Sequence, residues 1–359
     1  MEHRRYVIIQ LEEAKRFIQT NRVPYLRLAL LLLDNASEIQ MYRAVEHELD
    51  YNDLYKRMQD NILQILKDHP GSEHDLPETL RDILQMKLLN EKDKKKLDKY
   101  FDQKLQYLGH VLPHLNVSHE DENLPKTDKT PYLDESVADV LSHLHNYRNE
   151  AYHRAKVRPK TLLTAALILF EINCDFFLSL SKHYGLSYSS ADDYSDLEQR
   201  YGISKPFRQE DHERIVSVLK ANLPIDDQTI KTTLAEHLDS RLIDLDASLE
   251  FIRENLTSAT APDKQTALEY SQFYVISKAI KQSADVDEFK KFKAEYTYND
   301  LEILRANIPM IHRAPTRIET FRCFATLEKK LEKIEPAAFE LERDIDQYIQ
   351  LEIDRARGK

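Results

Sequence analysis

The stretch PKTLLTAALILFEINCDFFLSLSKHY, residues 159–184, decides the fold. Leu162, Leu163, Ala166, Leu167, Leu169, Phe170, Ile172, Phe176, Phe177 and Leu178 leave no polar face wide enough to meet water. A helix apolar on most of its circumference belongs at the centre of a bundle. Pro159 suits the first helical position, where its missing N–H costs nothing, and Gly185 suits the C-terminal cap.

Working outward, helical spacing continues on both sides. Upstream, Val137, Val140, Leu141, Leu144 and Tyr147 predict a helix over about 134–152. Before it lie a polar loop over 117–130 and two helices over about 92–115 and 77–90. A long helix runs from Tyr25, after Pro24, to about Leu66, where Pro70-Gly71 stops it, and a short amphipathic helix covers 2–19. Downstream, residues 186–205 are polar and poor in aliphatics, as a linker would be. Helices follow at about 208–222, 264–281, 286–311 and 315–334, with a clean stripe of Leu234, Leu238, Leu242, Leu245, Leu249 and Ile252. Pro336 interrupts the last run and starts a further helix to about Arg355. No strand-like alternation occurs. The expectation is an all-α fold with a helical bundle over 1–186 (core 23–185), a linker over 187–205 and a second helical domain over 206–359.

The chain has 359 residues and a net charge of -11, so it does not coat nucleic acid generally; a nucleic-acid site must be a local basic patch. Only 5 Gly and no Trp occur, which fits long helices joined by short loops. Cys174 and Cys323 both lie in apolar helical patterns, the placement of reduced thiols in a cytoplasmic protein. Tyr6–Gln10 is too short for a signal peptide, and Leu28–Leu33 is far short of the ~20 residues that span a membrane. Phosphate-cradling glycine loops and the G-x-S-x-G motif are absent.

One stretch carries chemistry: Arg148-Asn149-Glu150-Ala151-Tyr152-His153, at the end of one helical pattern and just before the apolar helix. Arg148 offers a fork of donors that pairs with phosphate oxygens, and His153 can move a proton near neutral pH. RNA carries its own nucleophile, the 2′-hydroxyl. Its cleavage needs a base, an acid and positive charge on the phosphate, and it needs no metal. Asn149 lies four residues before His153 and shares its face. Arg148 and His153 stand about 140° apart round an ideal helix, so they converge only if the helix turns near Tyr152 or if two chains share a cleft. Arg154, Lys156, Arg158 and Lys160 follow, with Glu150 the one acid between 148 and 160. This positive island can bind an RNA backbone, with Tyr147 and Tyr152 as stacking platforms.

The Arg148–Asn149–His153 arrangement, set between a core helix and a very apolar one, resembles the signature of the HEPN family of small helical ribonucleases. The resemblance covers roughly residues 23–185. It implies a metal-independent endoribonuclease that leaves a cyclic phosphate, with Arg148 and His153 catalytic and Asn149 supporting them. Arg154, Lys156, Arg158 and Tyr152 would touch the RNA. It further implies a homodimer whose paired motifs line one groove, and a toxin or antiviral-defence effector restrained by an antitoxin or regulatory protein. One departure stands out. Members regulated by nucleotide addition carry Tyr two residues after the His, and here that position is Ala155. The rival expectations are a non-catalytic helical dimerisation or partner-docking scaffold, and nucleotide binding without cleavage.

No cofactor and no metal are expected. His110, His114, His119 and Asp121 have loosely metal-like spacing, but the pattern fixes no fourth ligand. His143 and His145 read as surface residues, with extra donors beside the motif as the alternative. Asp34 and Glu38 read as the polar side of their helix, with carboxylates that face the motif and fix an imidazole tautomer as the alternative. Glu91–Lys99 and Glu328–Glu335 read as solvated faces.

Overall fold

The computed structural model describes residues 2–69, 76–86, 88–111, 132–153, 159–183, 195–203, 209–256, 261–280 and 286–357. Every regular element among them is helical. The chain divides into two compact units, residues 1–224 and 225–359.

In the first unit α1 (Glu2–Thr20) and α2 (Val23–Asp68) form a hairpin. Asn21 makes the turn with a left-handed φ of 48°, which its short polar side chain tolerates, and Pro24 opens α2. Val7, Ile8, Leu11, Ala14 and Ile18 recur at helical spacing and are buried. Short helices α3 (Glu78–Gln85), α4 (Glu91–Lys99) and α5 (Phe101–Gln106) follow, then a π-helical turn at Tyr107–Val111. The single helix expected over 92–115 is therefore broken. Tyr100 is extended, at φ -112° and ψ 131°, and serves as the N-cap of α5. The charged run before it hid that break.

Helices α6 (Glu135–His153) and α7 (Pro159–His183) complete the bundle core. Helix α7 packs against both α2 and α1. It is long and apolar enough to cross a membrane, yet Leu167, Ile168, Phe170, Asn173 and Cys174 are buried inside the unit. A polar pin locks α7 to α2. The amide of Asn173 donates to the carbonyls of Leu33 (3.1 Å) and Leu169 (2.8 Å) and accepts from Ser37 Oγ (3.1 Å) and Gln40 Nε2 (2.8 Å). Burial pushes the neighbouring Cys174 thiol well above its usual range, so it stays protonated and inert. Cys323, expected buried, is partly exposed.

Helices α8 (Ser195–Tyr201) and α9 (Gln209–Lys220) belong to the first unit, where the sequence assigned them to the linker and to the second domain. The reason is packing. Ile215, Val216 and Leu219 are buried as α9 lies against α7, and Tyr201 donates to Glu12 of α1 at 2.7 Å. Residues 187–194 and 204–205 of the expected linker lie outside the described residues.

The second unit is built on α10 (Asp227–Asn255), α11 (Lys264–Ala279) and a long final helix, with α12 (Val286–Phe289), α13 (Tyr298–Asn307) and α14 (Pro309–Arg313) between. The expected helix over 286–311 is three pieces. The Thr297–Asp300 capping box starts one and Pro309 starts another, while Gln272 holds the intervening backbone through Glu295 N, Tyr296 N and Tyr296 O. The final helix, α15 (Arg317–Ala356), runs straight through Pro336 instead of breaking there. An interior proline costs ~3 kcal/mol. Burial of Leu331, Ile334, Ala338 and Leu341 offsets that cost, and so does Arg241 of α10, which grips the two turns just before the proline. Its guanidinium bonds Glu328 at 2.8 Å and Glu335 at 2.6 Å. Those two acids are therefore buried, and only part of the Glu328–Glu335 run is a solvated face.

Candidate functional site

The site grows from α2 and α6. Residues 26, 30, 33, 37 and 41 make the buried stripe of α2, and Asp34 falls inside that stripe. Its side chain is 2% exposed. A carboxylate sealed in this way needs partners, because an unpaired buried charge is very costly. Helix α6 supplies two of them, one turn apart. His145 Nδ1 lies 2.8 Å from Asp34 Oδ1, and Arg148 Nε lies 2.8 Å from Asp34 Oδ2. The Arg148 contact is a close ion pair whose N–H is not aimed at the oxygen, so it is not a directed hydrogen bond.

Around this pair, Arg148 Nη1 donates to Asn149 Oδ1 at 2.7 Å, and Nη2 stands 3.8 Å from Glu38 Oε1. Phe101 of α5 stacks on His145, with centroids 4.0 Å apart and planes tilted by 16°. The imidazole is thus clamped on one edge by a carboxylate and on one face by an aromatic ring. His145 is 17% exposed and Arg148 20%, so both reach solvent from a largely buried base.

Of the residues expected from the sequence, Arg148 and Asn149 sit in this cluster. Tyr152 and His153 lie in the last turn of α6, with side chains outside the described residues, as are Arg154, Lys156 and Arg158. Tyr147 is not a stacking platform. It is buried, with its hydroxyl 3.4 Å from Thr161 Oγ1. Asp34 is buried rather than on a polar face and His145 is bound to it, so both take the alternative placement, a carboxylate facing the motif helix and a donor beside the motif. Sequence held one usable signal, an acid standing at a core position of a helical stripe.

Asp34, Glu38 and His145 offer three ligand atoms within 4.8 Å of one another, a nitrogen-and-oxygen set of the kind zinc accepts. The guanidinium of Arg148 already lies against both carboxylates, so a metal ion there would have to expel it. His110 pairs with Glu135 (3.2 Å) and Asp139 (3.6 Å), while His114, His119 and Asp121 fall outside the described residues.

No protein-family model, no curated protein and no solved structure matches this chain. The functional reading therefore rests on the residues themselves.

Proposed function

We propose that the first unit is a metal-independent endoribonuclease of HEPN type, acting as a homodimer. The observation that carries this reading is the setting of Arg148. A cation is held near the end of a core helix by a buried carboxylate and by Asn149, five residues before the histidine that ends that helix. In this reading Arg148 takes the scissile phosphate as a planar fork. His153 transfers a proton, and the 2′-hydroxyl attacks to leave a cyclic phosphate. Asn149 orients the guanidinium, a duty its 2.7 Å contact supports. Arg154, Lys156 and Arg158 add backbone affinity, which makes binding fall with salt. Such an activity in a cell needs restraint, and a toxin or defence effector with a regulatory protein is the setting that fits.

The test is cleavage of total RNA in the presence of EDTA by the purified full chain. Wild type is expected to cut and leave cyclic phosphate ends. His153→Ala is expected to lose ~10²-fold or more, and Arg148→Lys to lose most of its rate because a point charge cannot replace the fork. Equal, absent cleavage by all three would end the proposal.

The same ion pair supports a second reading from a different class. In it Arg148 is the neutralising partner of Asp34 and nothing more, in a bundle that serves as a dimerisation or docking scaffold. In that case Arg148→Lys lowers the melting temperature, and no RNA is cleaved at any protein concentration.

A further inference from the structure

Strand scission by the 2′-hydroxyl needs two proton-handling groups, one to take the hydroxyl proton and one to protonate the leaving 5′-oxygen. The sequence motif provides one histidine. We propose that His145 is the second, the general base for the 2′-hydroxyl; this rests on the ribonuclease reading above.

The geometry of His145 carries the inference. Ionised Asp34 can only accept, so the 2.8 Å contact requires Nδ1 of His145 to donate its proton. In the neutral imidazole that fixes the tautomer and leaves Nε2 with a lone pair. Among the described residues nothing bonds Nε2, and the side chain reaches solvent. Phe101 holds the ring plane. The charged groups facing the imidazole are Asp34 and Glu38 from α2 and Arg148 from its own helix. A base positioned by a buried carboxylate, beside a cation suited to phosphate, is the arrangement proton abstraction at a phosphodiester needs.

His145 and Arg148, three residues and about 60° apart, share one face of α6. The helix is continuous to His153, so Arg148 and His153 of one chain stand about 140° apart and do not converge. In the homodimer of this reading, the acid that meets a given His145–Arg148 pair is therefore the partner copy's histidine. In the step itself, Nε2 of His145 takes the 2′-hydroxyl proton as the 2′-oxygen bonds to phosphorus. The bond from phosphorus to the 5′-oxygen breaks, and that oxygen takes a proton from the imidazolium of the partner's His153. The products are a 2′,3′-cyclic phosphate and a 5′-hydroxyl end.

The experiment uses two substrates: a short RNA, and uridine 3′-(4-nitrophenyl phosphate), whose leaving group needs no proton. His145→Asn keeps an amide donor for Asp34 and deletes Nε2. It is expected to lose ~10²–10⁴-fold on both substrates. His153→Ala is expected to fail on RNA and recover on the nitrophenyl ester. Added imidazole is expected to restore part of the rate of His145→Ala, which a structural role would not permit. A folded His145→Asn protein that cuts at the wild-type rate overturns the role of His145 while leaving the nuclease standing. Wild type inert on both substrates overturns both.

Discussion

Asp34 and Arg148 meet inside the first unit at 2.8 Å, a carboxylate on the buried stripe of one helix and a guanidinium near the end of another. Either alone would be a liability there. Truncating one partner of a buried pair leaves the other charge uncompensated and costs about 3 kcal/mol or more. Arg148→Ala is therefore expected to lower stability by about 2–3 kcal/mol, the lower figure because the side chain reaches solvent. Asp34→Asn with Arg148→Gln should cost clearly less than the sum of the two single changes. Urea denaturation of the four proteins measures this, and additive losses would show that the contact is incidental.

The Asn173 pin makes a separate prediction. Its amide uses both donors and its oxygen accepts twice, all without water. Asn173→Leu keeps the volume but strands the Gln40 amide, while Ser37 keeps its bond to the Leu33 carbonyl, and should cost about 1–3 kcal/mol. Asn173→Asp should be worse still, since two carbonyls would then face a carboxylate. Thermal melting of the full chain distinguishes the two.

These two sites mark what sequence could and could not convey. Helix existence was legible wherever burial is one-sided, as in α1, α6 and α10, because periodicity and burial are the same fact. Breaks were less so: Tyr100 and residues 292–297 are stopped by capping and by Gln272, which are pairwise contacts and leave no periodic trace. Pro336 was misread for the opposite reason. A local rule was overridden by tertiary packing and by Arg241. At the candidate site Arg148 and Asn149 were visible from spacing. Asp34 and His145 needed the α2–α6 crossing, which no local pattern encodes.

The π-helical turn offers a steric test. A Cβ built at Gly109 collides with the Cβ of Ala138 on α6, and neither atom can rotate away. Gly109→Ala should destabilise by about 1–3 kcal/mol, and Ala138→Gly should recover part of that loss in the double variant. Failure of the second change to compensate would mean that the turn and α6 are not in contact.

Acid should weaken the second unit through its helix caps. Asp226 and Asp263 accept from the backbone N–H groups of Thr229 (2.8 Å) and Thr266 (2.7 Å), and those bonds hold both carboxyls below the usual range. A depressed folded pKa gives stability that is full above the unfolded value of ~3.9 and is lost as pH falls through the folded one. Asn caps equally well but does not titrate. Asp226→Asn with Asp263→Asn should therefore flatten the fall in melting temperature below about pH 4, while changing little at pH 7. An identical slope in wild type and variant would remove the caps from the acid transition.

Pro336 gives the sharpest contrast between the expected and observed folds. Were it the first residue of a new helix, its missing N–H would be harmless, and Pro336→Ala would gain nothing there. Inside the continuous α15, the proline removes a hydrogen bond and crowds the carbonyl four residues back, at Glu332. Pro336→Ala is then expected to stabilise the second unit by about 1–3 kcal/mol, the gain limited by any bend that the packing of Ala338 and Leu341 has come to use. A higher melting temperature with unchanged helix content in circular dichroism supports the continuous helix. A neutral or lower one favours a chain that starts afresh at Pro336.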